Sequence, residues 1–472
     1  MERRNLALLT DFYELTMMNG YFTCGIGRKQ AVFDLFYRGQ GGFSYAVAAG
    51  LEQIVEYIKA LKFGEDEIEY LASLRVFGEE FLNMLRGFKF SGDIYALPEG
   101  TLFFPYEPAI VVKAPLIEAQ LIETALLNIF NHQTLIATKA ARLKQVTSAA
   151  ISEFGLRRAQ GPDAGIYGAR AAYIGGCRST SNVLAAKKFG IPVKGTHAHS
   201  WVMSFPDELS AFRAYAEIYP HACLLLVDTY DTLKSGVPNA IKVFDEMKAK
   251  GLKPLGIRLD SGDLAYLSKR ARVMLDEAGH SDVLIFASSD LDEDIIASLQ
   301  LQNAQIDVYG VGTKLITSYT NASLGGVYKL AAIEENGKLS PKIKISNTSA
   351  KNTNPGFKKL MRIYDESGRA AADLITLFEE RYDTSKPLTI FHPEEVWKKT
   401  TFENYTMKNL LVKVFENGEL IYKLPSLKEI GARCDESMAE FYPEYKRTVN
   451  PHEYKVDLSV KLHSLRNSLL HG

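Results

Sequence analysis

The stretch PVKGTHAHSWVMSF, residues 192–205, sets two histidines two residues apart, just after a short apolar run and a Gly-Thr pair. Strand-to-loop junctions are where α/β enzymes place their chemistry, so His197 and His199 could clamp a metal, shuttle a proton or carry a nucleophilic nitrogen. No third ligand stands nearby in the sequence, which weighs against a metal. For His197 the default holds: a buried structural imidazole. His199 has Asp228 at the end of the next apolar run. An acid that orients one ring nitrogen leaves the other free for nucleophilic or acid–base work.

Other polar residues fall at the same kind of junction. In chain order they are Arg157 and Arg158, Ser179 to Ser181, Thr196 and His199, Asp228, Arg258 and Asp260, Ser288 to Asp290, and Gly310 to Thr313. One such residue means little, whereas a ring of them is hard to explain as solvated loop ends. GVGTK from Gly310 and SSDLDED from Ser288 could each cradle a phosphate with backbone N–H groups. Neither is specific alone. No Walker A motif occurs, so any nucleoside triphosphate is held by other means. LLLVDTYDT, from Leu224, only superficially resembles the acidic signature of one class of phosphoribosyltransferases, because it lacks the adjacent acid pair and the Thr-Gly-Gly loop.

These residues need a scaffold that gathers strand ends. From about residue 150, short apolar runs (ISEFG, CRSTS, IPVKGT, CLLLVDT, LGIRLD, VLIFASS, IDVYGVGT, VYKLAAI) alternate with helical stretches, two of which close on glycine. Alternating strand and helix implies a parallel sheet, and seven or eight units favour a closed or nearly closed α/β barrel over an open doubly wound sheet. The first part, with AVFDLFYR and GDIYALPEGTLFFPYEPAIVVKAPL, reads as antiparallel strands, followed by one long helix into the barrel. SPKIKISNTSAKNTNPGFKK reads as a mobile or ligand-ordered loop, and the tail as a hairpin turning at Asn417-Gly418. The expected organisation is a mixed α+β part over 1–115, a barrel carrying the active site over 116–365, and a segment over 366–472 that packs with the N-terminal part.

Composition excludes several classes. A chain of 472 residues suggests two or three folding units. A net charge of -1 and a pI near 6.8 provide no field for nucleic acid or a membrane surface. Cys24, Cys177, Cys223 and Cys434 lie far apart, without ligand-like spacing, which suits a reducing compartment. The basic N-terminus is interrupted by Asp11 and Glu14, and no uncharged apolar run could span a bilayer. A cytoplasmic protein is expected.

Over nearly its full length the chain resembles the nicotinate phosphoribosyltransferases. The likeness rests on LLTDFYELTMMNGYF, FDLFYR, EAQLIETALLNIFNHQTLIATKAAR, EFGLRRAQGPDAG, TSNVLAAKKFGIPVKGTHAHSWVMSF, GIRLDSGDL and VYGVGTKLITS. It implies a type II phosphoribosyltransferase fold: an incomplete α/β barrel with a mixed α+β domain formed by both chain ends. It also implies ATP-coupled transfer of phosphoribosyl from phosphoribosyl pyrophosphate to nicotinate, giving nicotinate mononucleotide, pyrophosphate, ADP and phosphate for NAD synthesis. Magnesium is expected to be bound through substrate phosphates rather than by protein ligands.

By the same resemblance, His199 is the residue ATP phosphorylates, with Asp228 holding its other nitrogen. Phe154 stacks on the pyridine, and Tyr13 covers the opposite face from a second subunit of a homodimer. Arg157, Thr196 and Arg258 surround the substrate carboxylate and ribose phosphate, and Asp260 faces the ribose. Ser288, Ser289, Gly310, Gly312 and Thr313 resemble the 5'-phosphate cradle. The lysines of PKIKIS and GFKK are candidates for pyrophosphate or ATP, with an exposed basic loop as the plainer reading. Nicotinamide-using relatives place an Asp where this chain has Ser181, which favours a carboxylate substrate. The alternatives are a nicotinamide or quinolinate phosphoribosyltransferase, or a non-catalytic nucleotide-binding regulator of the same fold.

Overall fold

The computed structural model describes residues 4–39, 43–346, 352–395 and 397–471. The chain folds as two compact units, one of residues 136–322 and one combining 1–135 with 323–472.

The 136–322 unit holds six parallel strands: β1 (Ala150–Glu153), β2 (Ser179–Thr180), β3 (Leu224–Leu226), β4 (Gly256–Leu259), β5 (Leu284–Ser289) and β6 (Val308–Val311). Their order is β2-β1-β6-β5-β4-β3. The last strand in sequence pairs with the first, Gly310 beside Ser152, so the sheet curls back on itself and stays open only between β2 and β3. That is the expected incomplete barrel. The IPVKGT run, expected as a full strand, is reduced to a single parallel bridge between Val193 and Thr180. Leu224, Leu225 and Leu226 are all buried, as the continuous apolar run of a parallel strand requires.

Capping side chains start the intervening helices. Asn182, Asp207, Asp263 and Asp292 each accept the backbone N–H three residues on, at the head of Val183–Phe189, Glu208–Ile218, Leu264–Glu277 and Glu293–Leu301. Each such cap stabilises its helix by about 1 kcal/mol. Gly251 and Gly279, at φ 71° and 79°, end the two helices whose closing glycines are evident in the sequence. Gly236 closes a short π-helical turn, Thr232–Gly236, against β3. A Cβ there would lie 1.8 Å from the Val227 carbonyl oxygen, so only glycine fits.

The other unit is built on antiparallel pairing. Its seven-stranded sheet runs Lys338–Pro341, Gly326–Glu335, Gln30–Tyr37, Ile110–Pro115, Asp93–Ala96, Val412–Glu416, Glu419–Leu420. A six-stranded sheet comes wholly from residues 358–458. Gly326–Glu335 contains VYKLAAI, expected above as a barrel strand. It pairs antiparallel with Gln30–Tyr37 instead, because both faces of that strand meet the core of this unit. The barrel unit accordingly ends at 322, within the 116–365 span expected for it, and 116–135 belongs with the antiparallel unit. The long helix is interrupted at Ile122, giving Leu116–Leu121 and Glu123–Gln145. The hairpin turns at Asn417 and Gly418, both with positive φ.

Part of the Lys-rich stretch, 347–351, lies outside the described residues. Two of its lysines are not free for a ligand. Lys358 is buried, pairs with Asp34 at 2.8 Å and donates to the Asn354 and Gly356 carbonyls. Lys359 is buried and donates to the Glu380 carbonyl. Lys342 pairs with Glu335 at 2.6 Å, whereas Lys344 is exposed.

Candidate active site

The C-terminal ends of the barrel strands surround a cavity of about 500 Å³, within the range of small-molecule sites. Phe154, Arg157, Ser181, Thr196, Arg258, Asp260, Ser288, Ser289, Gly310, Gly312 and Thr313 all line it. Eleven positions expected from separate stretches of sequence therefore share one wall. Tyr13 lies in the other unit, on the helix Phe12–Thr23, and is 46% exposed there.

Phe154 follows β1, its N–H donating to the Val311 carbonyl. Its ring lies over Gly310, where a Cβ would come within 2.6 Å of the ring, so glycine is what admits the aromatic wall. The Arg258 guanidinium stands 5.9 Å from the ring centroid. Below it is Glu153, an acid buried at the end of β1 that sequence reasoning passed over. Burial raises its pKa, while the Thr180 hydroxyl and the Gly155 N–H donate to its carboxylate and work the other way. Glu153 thus ties the loop after β1 to β2. The signal available was an acid inside an apolar strand run.

Arg258, Asp260 and Ser288 form a closed polar group. Arg258 donates to Asp260 Oδ1 at 2.6 Å and to Ser288 Oγ at 2.8 Å, and the Ser288 hydroxyl donates to the same carboxylate oxygen. Burial pushes the Asp260 pKa up, but the Ser288 hydroxyl and the Arg258 charge outweigh it and hold the pKa below the usual range. Asp260 is therefore an anion facing the cavity. Ser288 and Gly310 are directly paired across β5 and β6, so the two glycine- and serine-bearing loops are neighbours. Ser289 has φ 151°, a region seldom adopted by residues with side chains and found preferentially at functional sites.

His199 opens the short helix His199–Met203, next to Ala198 in the cavity wall. Its Nδ1 lies 3.1 Å from the Thr229 hydroxyl, and its Nε2 lies 3.9 Å from Asp260 Oδ2. Asp228, expected to hold this ring, does not touch it. Asp228 Oδ2 instead accepts from the Asp260 N–H at 3.0 Å and the Ser261 hydroxyl at 2.6 Å, which pins the turn after β4. The side chain that reaches His199 is the next residue on β3's loop, Thr229. Thr196 is also differently engaged. Its hydroxyl donates to the Leu224 carbonyl at 2.5 Å, so its proton is already engaged. Arg158, Leu156, His197 and Asp290 line the cavity as well. Arg157 and Arg158 sit side by side on one exposed 3-10 turn and make no ion pair among the described residues.

A barrel left open on one side, with neighbouring Gly/Ser loops after β5 and β6 and an ionised acid clamped by arginine, defines a type II phosphoribosyltransferase. Comparison with known proteins agrees. The nicotinate phosphoribosyltransferase (NAPRTase) N-terminal domain model matches residues 8–131 and its C-terminal domain model residues 357–466. The chain is 49% identical to the nicotinate phosphoribosyltransferase of Bacillus subtilis, over 99% of this chain and 96% of that one. It is 34% identical to that of Homo sapiens, over 98% and 97%. The crystal structure of human nicotinic acid phosphoribosyltransferase superposes with a TM-score of 0.85 at 33% identity, covering 98% of this chain and 99% of that one. A nicotinate-nucleotide pyrophosphorylase from Pyrococcus furiosus, at 23% identity and TM-score 0.71, shares the fold over 93% and 99%. The chain belongs to the nicotinate phosphoribosyltransferase family, and is an enzyme of NAD biosynthesis.

Proposed function

We propose that the protein transfers the phosphoribosyl group of phosphoribosyl pyrophosphate to nicotinate and couples this to ATP hydrolysis. The products are nicotinate mononucleotide, pyrophosphate, ADP and phosphate. The observation that carries the reading is the composition of the barrel cavity. An aromatic wall, an ionised Asp260, two exposed arginines and two adjacent Gly/Ser loops surround a space sized for a small ligand.

In this reading the pyridine lies on Phe154. The Arg157 and Arg158 guanidiniums attract its carboxylate by charge-assisted hydrogen bonds, and Ser181 supplies a hydroxyl where an acid would repel it. The 5'-phosphate rests on Ser288, Ser289, Gly310, Gly312 and Thr313. As the pyridine nitrogen bonds to the ribose C1 and the pyrophosphate oxygen departs, positive charge grows on the ribose. Asp260, already fixed by Arg258 and Ser288, stabilises it without having to reorganise.

His199 supports the coupling. With Nδ1 protonated and donating to Thr229, its Nε2 lone pair is free to take the γ-phosphoryl group of ATP, releasing ADP. Asp260, 3.9 Å from Nε2, favours the positive charge that develops on the ring. Magnesium would enter with the substrate phosphates and neutralise part of their charge. Asp260 is engaged by Arg258 and Ser288, which suits an ion held by phosphates rather than by a protein cage. We further assign the enzyme to the cytoplasm, as a homodimer in which Tyr13 of one subunit completes the other's site. The described cysteines are all free, and no described helix is long and apolar enough to cross a membrane.

The test is product formation from nicotinate or nicotinamide with phosphoribosyl pyrophosphate and magnesium, with and without ATP. Nicotinate turnover stimulated by ATP, with ADP released, is expected. His199→Ala should abolish ATP hydrolysis and leave slow, uncoupled transfer. A variant that still hydrolyses ATP at the wild-type rate would rule out phosphoryl transfer to His199.

A further inference from the structure

The open side of the barrel is sealed by side chains. On β3, successive residues direct their peptide groups to opposite neighbours. Cys223 and Val227 face β4, the Cys223 carbonyl accepting from Leu255 and the Val227 N–H donating to Arg258. Leu224 and Leu226 therefore face the open edge, where β2 and the Val193 bridge stop short of them. Buried and unpaired peptide groups there would be costly. Two successive residues each satisfy one of these groups. Thr196 Oγ1 donates to the Leu224 carbonyl at 2.5 Å, and the Leu226 N–H donates to His197 Nε2 at 3.2 Å.

The second bond fixes the chemistry of His197. A backbone N–H can only donate, so Nε2 carries a lone pair and the ring proton sits on Nδ1, 3.4 Å from the Ala198 carbonyl. The ring is buried, and it meets Tyr215 edge-on with centroids 4.7 Å apart. We infer that His197 is a positioning residue whose neutral ring stands in for the absent neighbouring strand. By anchoring to β3 it sets the register of Gly195–Ala198, which is cavity wall, and hence the direction in which His199 is presented. His197 and His199 thus divide the labour at the open edge: one docks the loop, the other stands beside the cavity-lining Asp260. The inference requires only the transfer reaction and is independent of ATP coupling.

Two substitutions separate docking from packing. His197→Phe keeps a ring against Tyr215 and removes the acceptor, whereas His197→Gln restores an acceptor of similar reach. With folding checked by circular dichroism, His197→Phe should lose about 10- to 100-fold in kcat/KM for nicotinate, assayed without ATP, because a displacement near 1 Å has that effect. His197→Gln should recover to within about threefold of wild type, since the bond is restored. Wild-type efficiency in His197→Phe, or equal loss in both variants, would overturn the inference. A third measurement needs no variant: hydrogen exchange in the native protein should find the Leu226 amide protected despite its edge position. Exchange there as fast as a free edge amide would refute the docking bond, even if the phenylalanine variant failed to fold or no turnover of nicotinate were found.

Discussion

At position 310 the difference between glycine and alanine is one methyl group, and it points into the Phe154 ring at 2.6 Å. Overpacking of this kind costs about 1–3 kcal/mol. Gly310→Ala should therefore raise KM for nicotinate about tenfold, the equivalent of about 1.4 kcal/mol. A steady-state assay varying nicotinate at saturating phosphoribosyl pyrophosphate would show it. His197 makes a different residue-scale prediction. Burial, with the Ala198 carbonyl working against it and the nearby Arg258 charge adding to it, lowers its pKa from 6.5 to about 4. The folded state thus favours the neutral ring. The stabilisation is complete above pH 6.5 and is lost as pH falls toward 4, up to about 3 kcal/mol by linkage. Denaturant unfolding across that window should show the loss, and His197→Gln should lack that component. The sequence identifies both histidines and the strand ends, because each polar residue directly follows an apolar run. It does not reveal that Asp228 turns to the Asp260 N–H while Thr229 meets His199, since periodicity locates a residue on a strand end but not the neighbour to which its side chain turns.

The two loops with glycine and serine proposed to hold the 5'-phosphate form one surface only if β5 and β6 are held in step. An ion pair contributes to this: Lys314 Nζ lies 2.6 Å from Asp292 Oδ2, joining the short helix Thr313–Ile316 after β6 to the head of the helix after β5. Asp292 Oδ1 also caps that helix by accepting the Ile295 N–H. Asparagine caps nearly as well but carries no charge. Asp292→Asn should leave the melting temperature nearly unchanged while raising KM for phosphoribosyl pyrophosphate about three- to tenfold, as loss of a partly buried pair of about 1 kcal/mol implies. Lys314→Met should do the same, and the double variant should be no worse than either single one, because the two residues act as a unit. At this scale the sequence is a good guide where local signals decide, as in the capped helices and the Asn417-Gly418 hairpin. It misleads at VYKLAAI. A short apolar run has no mark that distinguishes a parallel barrel strand from one in an antiparallel sheet, and the partner, Gln30–Tyr37, lies some 300 residues away in sequence.

The chain's two ends build one unit and its middle the other, so residues assigned to one reaction are distributed over both. Tyr13 is the instructive case. It stands on the helix Phe12–Thr23 with Phe12 and Met17, each of the three more than a third exposed, while Glu14 beside it is buried. An exposed aromatic on an anchored helix suits a role in a partner's site. If Tyr13 serves the second subunit while His199 serves its own, Tyr13→Ala and His199→Ala homodimers each carry one lesion in both sites. In a mixed dimer, one site carries both lesions and the other carries none. Random assortment makes half the dimers mixed, so co-expression of the two variants, each lacking the coupled reaction, should restore about one quarter of the ATP-coupled wild-type rate. Sites built within single chains would give no recovery, because every site would still hold one lesion. Co-expression with two affinity tags, followed by tandem purification of the mixed dimer, sharpens the comparison. The purified species should then show about half the wild-type rate per dimer, which reports directly how many subunits it takes to make one site.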